Sequence, residues 1–174
     1  MISAWLRLAR LLAAAPFQAK ISWTGESRVR FRVWPGDLDI NLHMNNSRYL
    51  AAMDIGRIDL LLRTGLGKAV WRKKLKPVLA GTLVRYRRSL APFQRYDIRT
   101  RLVGWDDKWL FIEHLVENDG EIFCQAVVKG LFVGPGGSLP TRDLMALTGA
   151  GAADPPALPR WIADWQAAEA GLRV

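Results

Sequence analysis

The sequence predicts an α+β domain in which one strongly curved antiparallel sheet wraps around a long central helix, with extra helices at the N- and C-termini. Two observations carry that expectation. The first is the order of patterned segments: a strand, a long apolar helix, then four long strand-like runs separated by turn residues. The second is the girth of the helix, whose apolar residues occupy more than one side and so need neighbours nearly all round. At 174 residues, half of them hydrophobic, the chain suits one domain with a real core and room for terminal additions. The expected division is 1–25 for an N-terminal helix and connector, 26–147 for the main domain, and 148–174 for a C-terminal helical extension.

Residues 1–16 contain no acid and suit a helix with Trp5, Leu8, Leu11 and Leu12 on one side and Arg7 and Arg10 elsewhere. This stretch is too short and too interrupted by arginine to span a bilayer, which takes about 20 apolar residues. Packing on the body and peripheral contact with a membrane both remain open to it. Residues 17–25 read as a connector. Val29, Phe31 and Val33 then alternate with Arg28, Arg30 and Arg32, the period of a half-buried strand.

From Tyr49 to Leu62 the chain is rich in Leu, Ile, Ala and Met, with Ala51, Ile55, Ile58 and Leu62 on one stripe. Gly56, costly inside a helix, implies close approach to another backbone. Asp54 with Arg57 and Asp59 with Arg63 have the spacing of ordinary helix-surface ion pairs. Thr64-Gly65-Leu66-Gly67 ends the helix, and Trp71–Lys76 reads as a basic loop.

Strands are predicted over 78–90, 94–105, 107–117 and 121–133. They are separated by Ala91-Pro92, Asp106-Asp107 and Asn118-Asp119-Gly120, the last a strong hairpin signal because Asp-Gly accepts positive φ. In the 107–117 run Trp109, Phe111 and Leu115 face one way and Leu110, Ile112 and Val116 the other, as in a central strand covered on both faces. His114 among them reads as a hydrogen-bonded sheet histidine. Asp154-Pro155-Pro156 leads into a last helix near 159–170, with Trp161 and Trp165 covering the body. A single curved sheet leaves a convex face open, which points to a second copy of the chain.

The lone Cys124, in an apolar run, reads as a buried inert thiol in a reducing, cytoplasmic setting. One cysteine and two histidines leave little from which to build a zinc site, so no metal is expected. The net charge of +9 suits nucleic acid, an anionic membrane surface, a small polyanion or simply a solvated basic surface. With no glycine-rich phosphate loop, zinc finger or RNA-binding aromatic signature, nucleic acid is not expected.

The segment Trp34–Tyr49 is polar between two strongly patterned ones and carries Asp37, Asp39, His43, Asn41, Asn45 and Asn46. Asn45, Asn46 or Ser47 can cap the following helix and leave its first N–H groups free for a ligand oxygen. An acid just before a helix N-terminus is a workable catalytic arrangement, since dipole and donors favour developing negative charge.

The pattern Asp37-x-Asp39-x-x-x-His43-x-Asn45-Asn46-x-x-Tyr49, after a strand and opening a helix, resembles the hotdog-fold acyl-CoA thioesterases. It looks most like the 4-hydroxybenzoyl-CoA thioesterase branch, and closer still to its member-six type, where Leu-His-Met-Asn-Asn also occurs. The resemblance extends over roughly residues 26–133. It implies hydrolysis of an acyl-CoA thioester, with Asp39 as nucleophile or general base and the Asn46 N–H polarising the carbonyl. His43 joins them as a group that orients Asp39 or water. Asn45, Tyr49, Lys108 and Arg142 complete the expected set of substrate contacts, with packing the ordinary role of Tyr49. Coenzyme A enters only as part of the substrate, no separate cofactor is implied, and a homodimer or homotetramer is. Leu42 stands where many relatives carry glycine before the histidine.

Overall fold

The computed structural model describes residues 2–148 and 155–172. Its sheet runs β1 (Glu26–Arg32), β3 (Arg95–Trp105), β4 (Leu110–Asn118), β5 (Glu121–Gly134), β2 (Lys76–Tyr86), antiparallel throughout. A short β6 (Gly137–Leu139) pairs with β5 at Phe132–Gly134, beyond the residues that β4 occupies. The helices are α1 (Ile2–Ala14), α2 (Asn46–Arg63), α3 (Leu66–Arg72), α4 (Thr141–Ala146) and α5 (Arg160–Glu169). Asp154, read above as part of the lead-in to the last helix, lies outside the described residues.

The sheet curls around α2, as the girth of that helix requires. Tyr49, Ala52, Met53 and Ile55 pack with Phe31, Tyr96, Ile98, Val116, Cys124 and Ala126 from the inner face. A second cluster joins Leu102, Leu110 and Phe132 to Leu66, Leu144 and Met145. Burial pushes the Cys124 thiol up to about 12, so it stays protonated and inert. The Asp119-Gly120 turn closes its hairpin with both residues at positive φ.

Gly56 lies where α2 crosses β3. A Cβ there would stand 2.5 Å from Thr100 Oγ1 and 3.3 Å from Ile98 Cγ2. Thr100 is also held by His114, which is fully buried, with Nδ1 3.0 Å from Thr100 Oγ1 and Nε2 3.1 Å from Arg57. A guanidinium only donates, so Nε2 accepts from Arg57 and Nδ1–H donates to the threonine. Burial first, and then the Arg57 charge, hold His114 far below the ordinary imidazole range.

Several expectations change. The residues after Gly65 form α3 rather than a basic loop, because Gly65 at φ 81° breaks α2 and Leu66 finds a buried seat. Asp59 is no surface residue: it is fully buried, and its Oδ2 accepts from Ser27 Oγ at 2.5 Å, tying α2 to β1. In α1 it is Leu8 and Leu11 that turn inward, whereas Trp5 and Leu12 are exposed. On the last helix Ile162, not Trp161, is the buried residue, packing with Trp165 and Leu158 over Phe111 and Val127. That contact covers part of the convex face. Elsewhere the face carries an ion-pair ladder: Arg28 and Arg30 on Asp97, Arg99 on Glu26 and Glu117, Arg101 on Glu113. The convex face is therefore less open than a bare sheet. The exposed sheet margin is β2, with Val78, Leu79, Leu83 and Tyr86 all substantially accessible.

Gly56→Ala is expected to lower stability by about 1–3 kcal/mol, because the crossing must open to admit a methyl group. An unchanged denaturant midpoint would show that the two elements are not in close contact there.

Candidate functional site

The candidate site is a small hairpin between β1 and α2. Asn45 N–H donates to Asp37 O at 2.8 Å, Leu38 bridges Met44, and Asp39 N–H donates to His43 O at 2.9 Å. The chain reverses over Ile40–Leu42, and Leu42 takes φ 59°. A left-handed residue is what this reversal requires. Here leucine accepts the strain that glycine would not feel.

The two aspartates divide their labour. Asp37 is fully buried. Its Oδ2 accepts from Trp34 N–H at 3.0 Å and from Arg7 of α1 at 2.5 Å. Arg7 also donates to Arg32 O at 2.9 Å and lies over the Phe31 ring. The pair therefore anchors the hairpin and α1 to each other. Asp39 is half-buried, and its Oδ1 accepts from Asn41 N–H at 2.8 Å and His43 N–H at 3.3 Å. Its Oδ2 has no donor among the described residues, so one carboxylate oxygen is oriented and the other is available.

Asn45 is the helix cap: its Oδ1 accepts from Ser47 N–H at 2.9 Å and Ser47 Oγ at 2.7 Å. The next N–H, that of Asn46, faces no acceptor among the described residues, and Asn46 is exposed. The His43 ring is exposed too, and it is the backbone of this residue that orients Asp39. Tyr49 is 2% exposed, its hydroxyl accepts from Leu90 N–H at 3.1 Å, and its ring meets Tyr86 edge-on, so it positions the site rather than lining its surface. Tyr86 in turn donates to Asn46 O at 3.2 Å.

Lys108 and Arg142 are not part of this cluster. Both are exposed at the β3–β4 turn and the start of α4, which touch through Thr141 N–H and Asp107 O at 3.0 Å. The hairpin adjoins the opposite end of β3, roughly 30 Å away along an eleven-residue strand. A cavity of about 410 Å³ also lies toward the Lys108 end, between the second half of α2 and strands β2, β4 and β5. Its walls include Ile58, Leu61, Leu79, Leu110 and Phe132. Asn46 and Ile58 are twelve residues apart on one helix, about 18 Å. Asp39 does not line the cavity of its own chain.

Sequence reasoning placed Asp37 in the site segment but did not find its burial against Arg7, nor the mouth of this cavity. Asp54 and Arg57 line that mouth and pair with each other, but Arg57 is not the surface cation its spacing suggested. Its side chain is 14% exposed, it reaches His114, and burial lowers it to about 10. The one available signal was the missing acid in residues 1–16, which left Arg7 to find its partner elsewhere in the chain.

Arg7→Met should cost about 3–5 kcal/mol by stranding the Asp37 carboxylate, and adding Asp37→Asn should restore most of that loss in thermal unfolding. Equal, additive losses would mean the two groups are not coupled. Leu42→Gly should raise stability by up to about 1 kcal/mol as the left-handed strain is relieved, and a lower melting temperature would contradict that account.

Comparisons place this geometry in a family. The model of the Thioesterase-like superfamily matches residues 33–166. Protein THEM6 of Xenopus laevis is 47% identical over 96 residues, covering 55% of this chain and 46% of that protein. The chain thus spans about half the length of curated relatives such as this one. YbaW, a probable thioesterase from Escherichia coli, superposes with TM-score 0.65 at 18% identity over 72% of this chain and 98% of that one. The BH1999 gentisyl-coenzyme A thioesterase does so with TM-score 0.61 at 21% identity, over 70% and 98%. At such identities the structural likeness establishes the fold. With its strand-hairpin-helix junction and its sheet closed around α2, the chain belongs to the Thioesterase-like superfamily and has the hotdog fold.

Proposed function

We propose that the chain hydrolyses an acyl-CoA thioester to the free acid and coenzyme A, in a reaction centre completed by a second copy of itself. The observation that carries this reading is the half-free Asp39 carboxylate beside the open N-terminus of α2. A thioester carbonyl is already electrophilic, so one carboxylate and a preorganised donor meet its needs. Asp39 serves either as nucleophile, giving a mixed anhydride as the CoA thiolate leaves, or as general base toward water. In both routes the Asn46 N–H receives the carbonyl oxygen as it becomes negative, a contribution of roughly 3 kcal/mol to the barrier.

The separation of hairpin and cavity within one protomer supports assembly. β2 is an unpartnered edge with apolar side chains, of a kind that pairs readily with another strand. Antiparallel pairing of two β2 strands sets the Tyr86 end of one, with its Asn46 and Asp39, against the Pro77–Leu79 end of the other, with its cavity. The acyl group then occupies the cavity of one protomer while the hairpin of its partner reacts. Lys108 and Arg142, at the cavity end, suit the phosphates of coenzyme A.

Asp39→Asn is expected to reduce turnover of a panel of aliphatic and aromatic acyl-CoA thioesters by at least about 100-fold, followed with a thiol reagent. Full turnover in that variant would remove Asp39 from the chemistry. If the wild-type chain bound acyl-CoA without cleaving it, the chain would instead be an acyl-CoA-binding protein using the same pocket.

A further inference from the structure

Beside β1, away from the hairpin cluster, the outer side of α1 has a composition unsuited to water. Trp5 is 71% exposed, Leu6 60% and Leu12 49%, and Phe17 just beyond the helix is 90% exposed. The inward side is already satisfied by Leu8, Leu11 and the Arg7–Asp37 pair. Next to this apolar surface runs a groove of about 500 Å³ between α1 and β1, lined by Arg10, Arg30, Arg32, Trp34 and Arg95 among others. Arg30 is held by Asp97, but Arg10, Arg32 and Arg95 have no acidic partner among the described residues. The first acid of the chain is Glu26, and it is committed to Arg99.

We infer that α1 and the arginine groove form a docking surface for an anionic phospholipid bilayer. Trp5, Leu6, Leu12 and Phe17 enter the headgroup–acyl boundary, and Arg10, Arg32 and Arg95 meet lipid phosphates. Each half of the surface needs the other for this assignment. Exposed tryptophan, leucine and phenylalanine gain nothing from nucleic-acid phosphates, whereas an interfacial helix buries such residues shallowly and sets its cations at the headgroups. A second copy is a poor occupant, because isologous contact through this face would place arginines against arginines with no acid to answer them. No helix among the described residues is long and apolar enough to cross a membrane. The docking is independent of the proposed hydrolysis, since none of these side chains belongs to the hairpin.

The test is sedimentation of the full chain with phosphatidylcholine vesicles, either alone or with about one third phosphatidylglycerol. The chain should pellet with the mixed vesicles and remain in solution with the neutral ones. Arg10→Gln/Arg32→Gln/Arg95→Gln should weaken binding by about 100-fold, at roughly fivefold per arginine. Trp5→Ser/Leu6→Ser/Phe17→Ser should weaken it by at least about tenfold through lost apolar burial. All six side chains lie at the surface or in the open groove, so both variants should melt with the wild type, and circular dichroism verifies this. Failure of the wild-type chain to pellet with mixed vesicles overturns the inference, as does equal pelleting of folded variants. It is overturned equally if the serine variant pellets normally but has a lower mass by analytical ultracentrifugation, since a second copy then covers the face.

Discussion

A carboxylate shut away from water must be answered by a cation and hydrogen-bond donors where it sits. For Asp37 the donor is local, the Trp34 N–H, but the cation comes from Arg7, thirty residues earlier in the chain. Through this requirement the hairpin carrying Asp39 and the first helix become one structural unit. The same guanidinium also ties down the end of β1 through Arg32 O and packs on Phe31. Asp39, with one carboxylate oxygen available, is therefore the half-buried member of a pair whose fully buried member fixes the loop.

The second constraint is the single helix inside the sheet. Because α2 must be covered all round, its N-terminus emerges at one end of the sheet and its apolar second half builds a cavity toward the other. Gly56 allows the close crossing on β3, and the Thr100–His114–Arg57 chain of hydrogen bonds satisfies the polar groups trapped beside it. A neutral histidine suits that place, since both its nitrogens already have partners and protonation would set a second charge against Arg57. The consequence for function is polarity. The chain holds the Asp39 hairpin and the apolar cavity at opposite ends, and its long unpaired edge lies between them.

Charge is distributed with comparable economy. Four of the arginines are paired on the convex face, in the ladder of Arg28, Arg30, Arg99 and Arg101 with Asp97, Glu26, Glu117 and Glu113, so the excess of +9 is carried by other residues. What stays unneutralised beside α1 adjoins exposed aromatic and aliphatic residues. A net charge read from composition cannot distinguish these two populations, because pairing depends on register across the strands.

Local pattern was enough for the long strands, the central helix and the terminal helices, but not for α3, β6 or α4. Alternation marked β1, the Asp-Gly turn marked the β4–β5 hairpin, and the cluster of Asp, His and Asn before an apolar helix marked the junction that carries Asp39 and Asn46. The close approach at Gly56 was legible for the same reason: a costly residue inside a helix implies a local cause. Tertiary structure alone decided which charged residues are buried. Asp59 pairs with Arg63 and Arg57 with Asp54 as their spacing allows, yet Asp59 is buried and Arg57 half-buried, and they also meet Ser27 and His114 across the core, and Arg7 meets Asp37 across thirty residues of chain. It also decided that Lys108 and Arg142 lie a strand's length from Asp39. Periodicity and turn chemistry act over a few residues and are written in order along the chain. Burial and ion pairing depend on which distant segments the closed sheet brings together, and no short window of sequence contains that information.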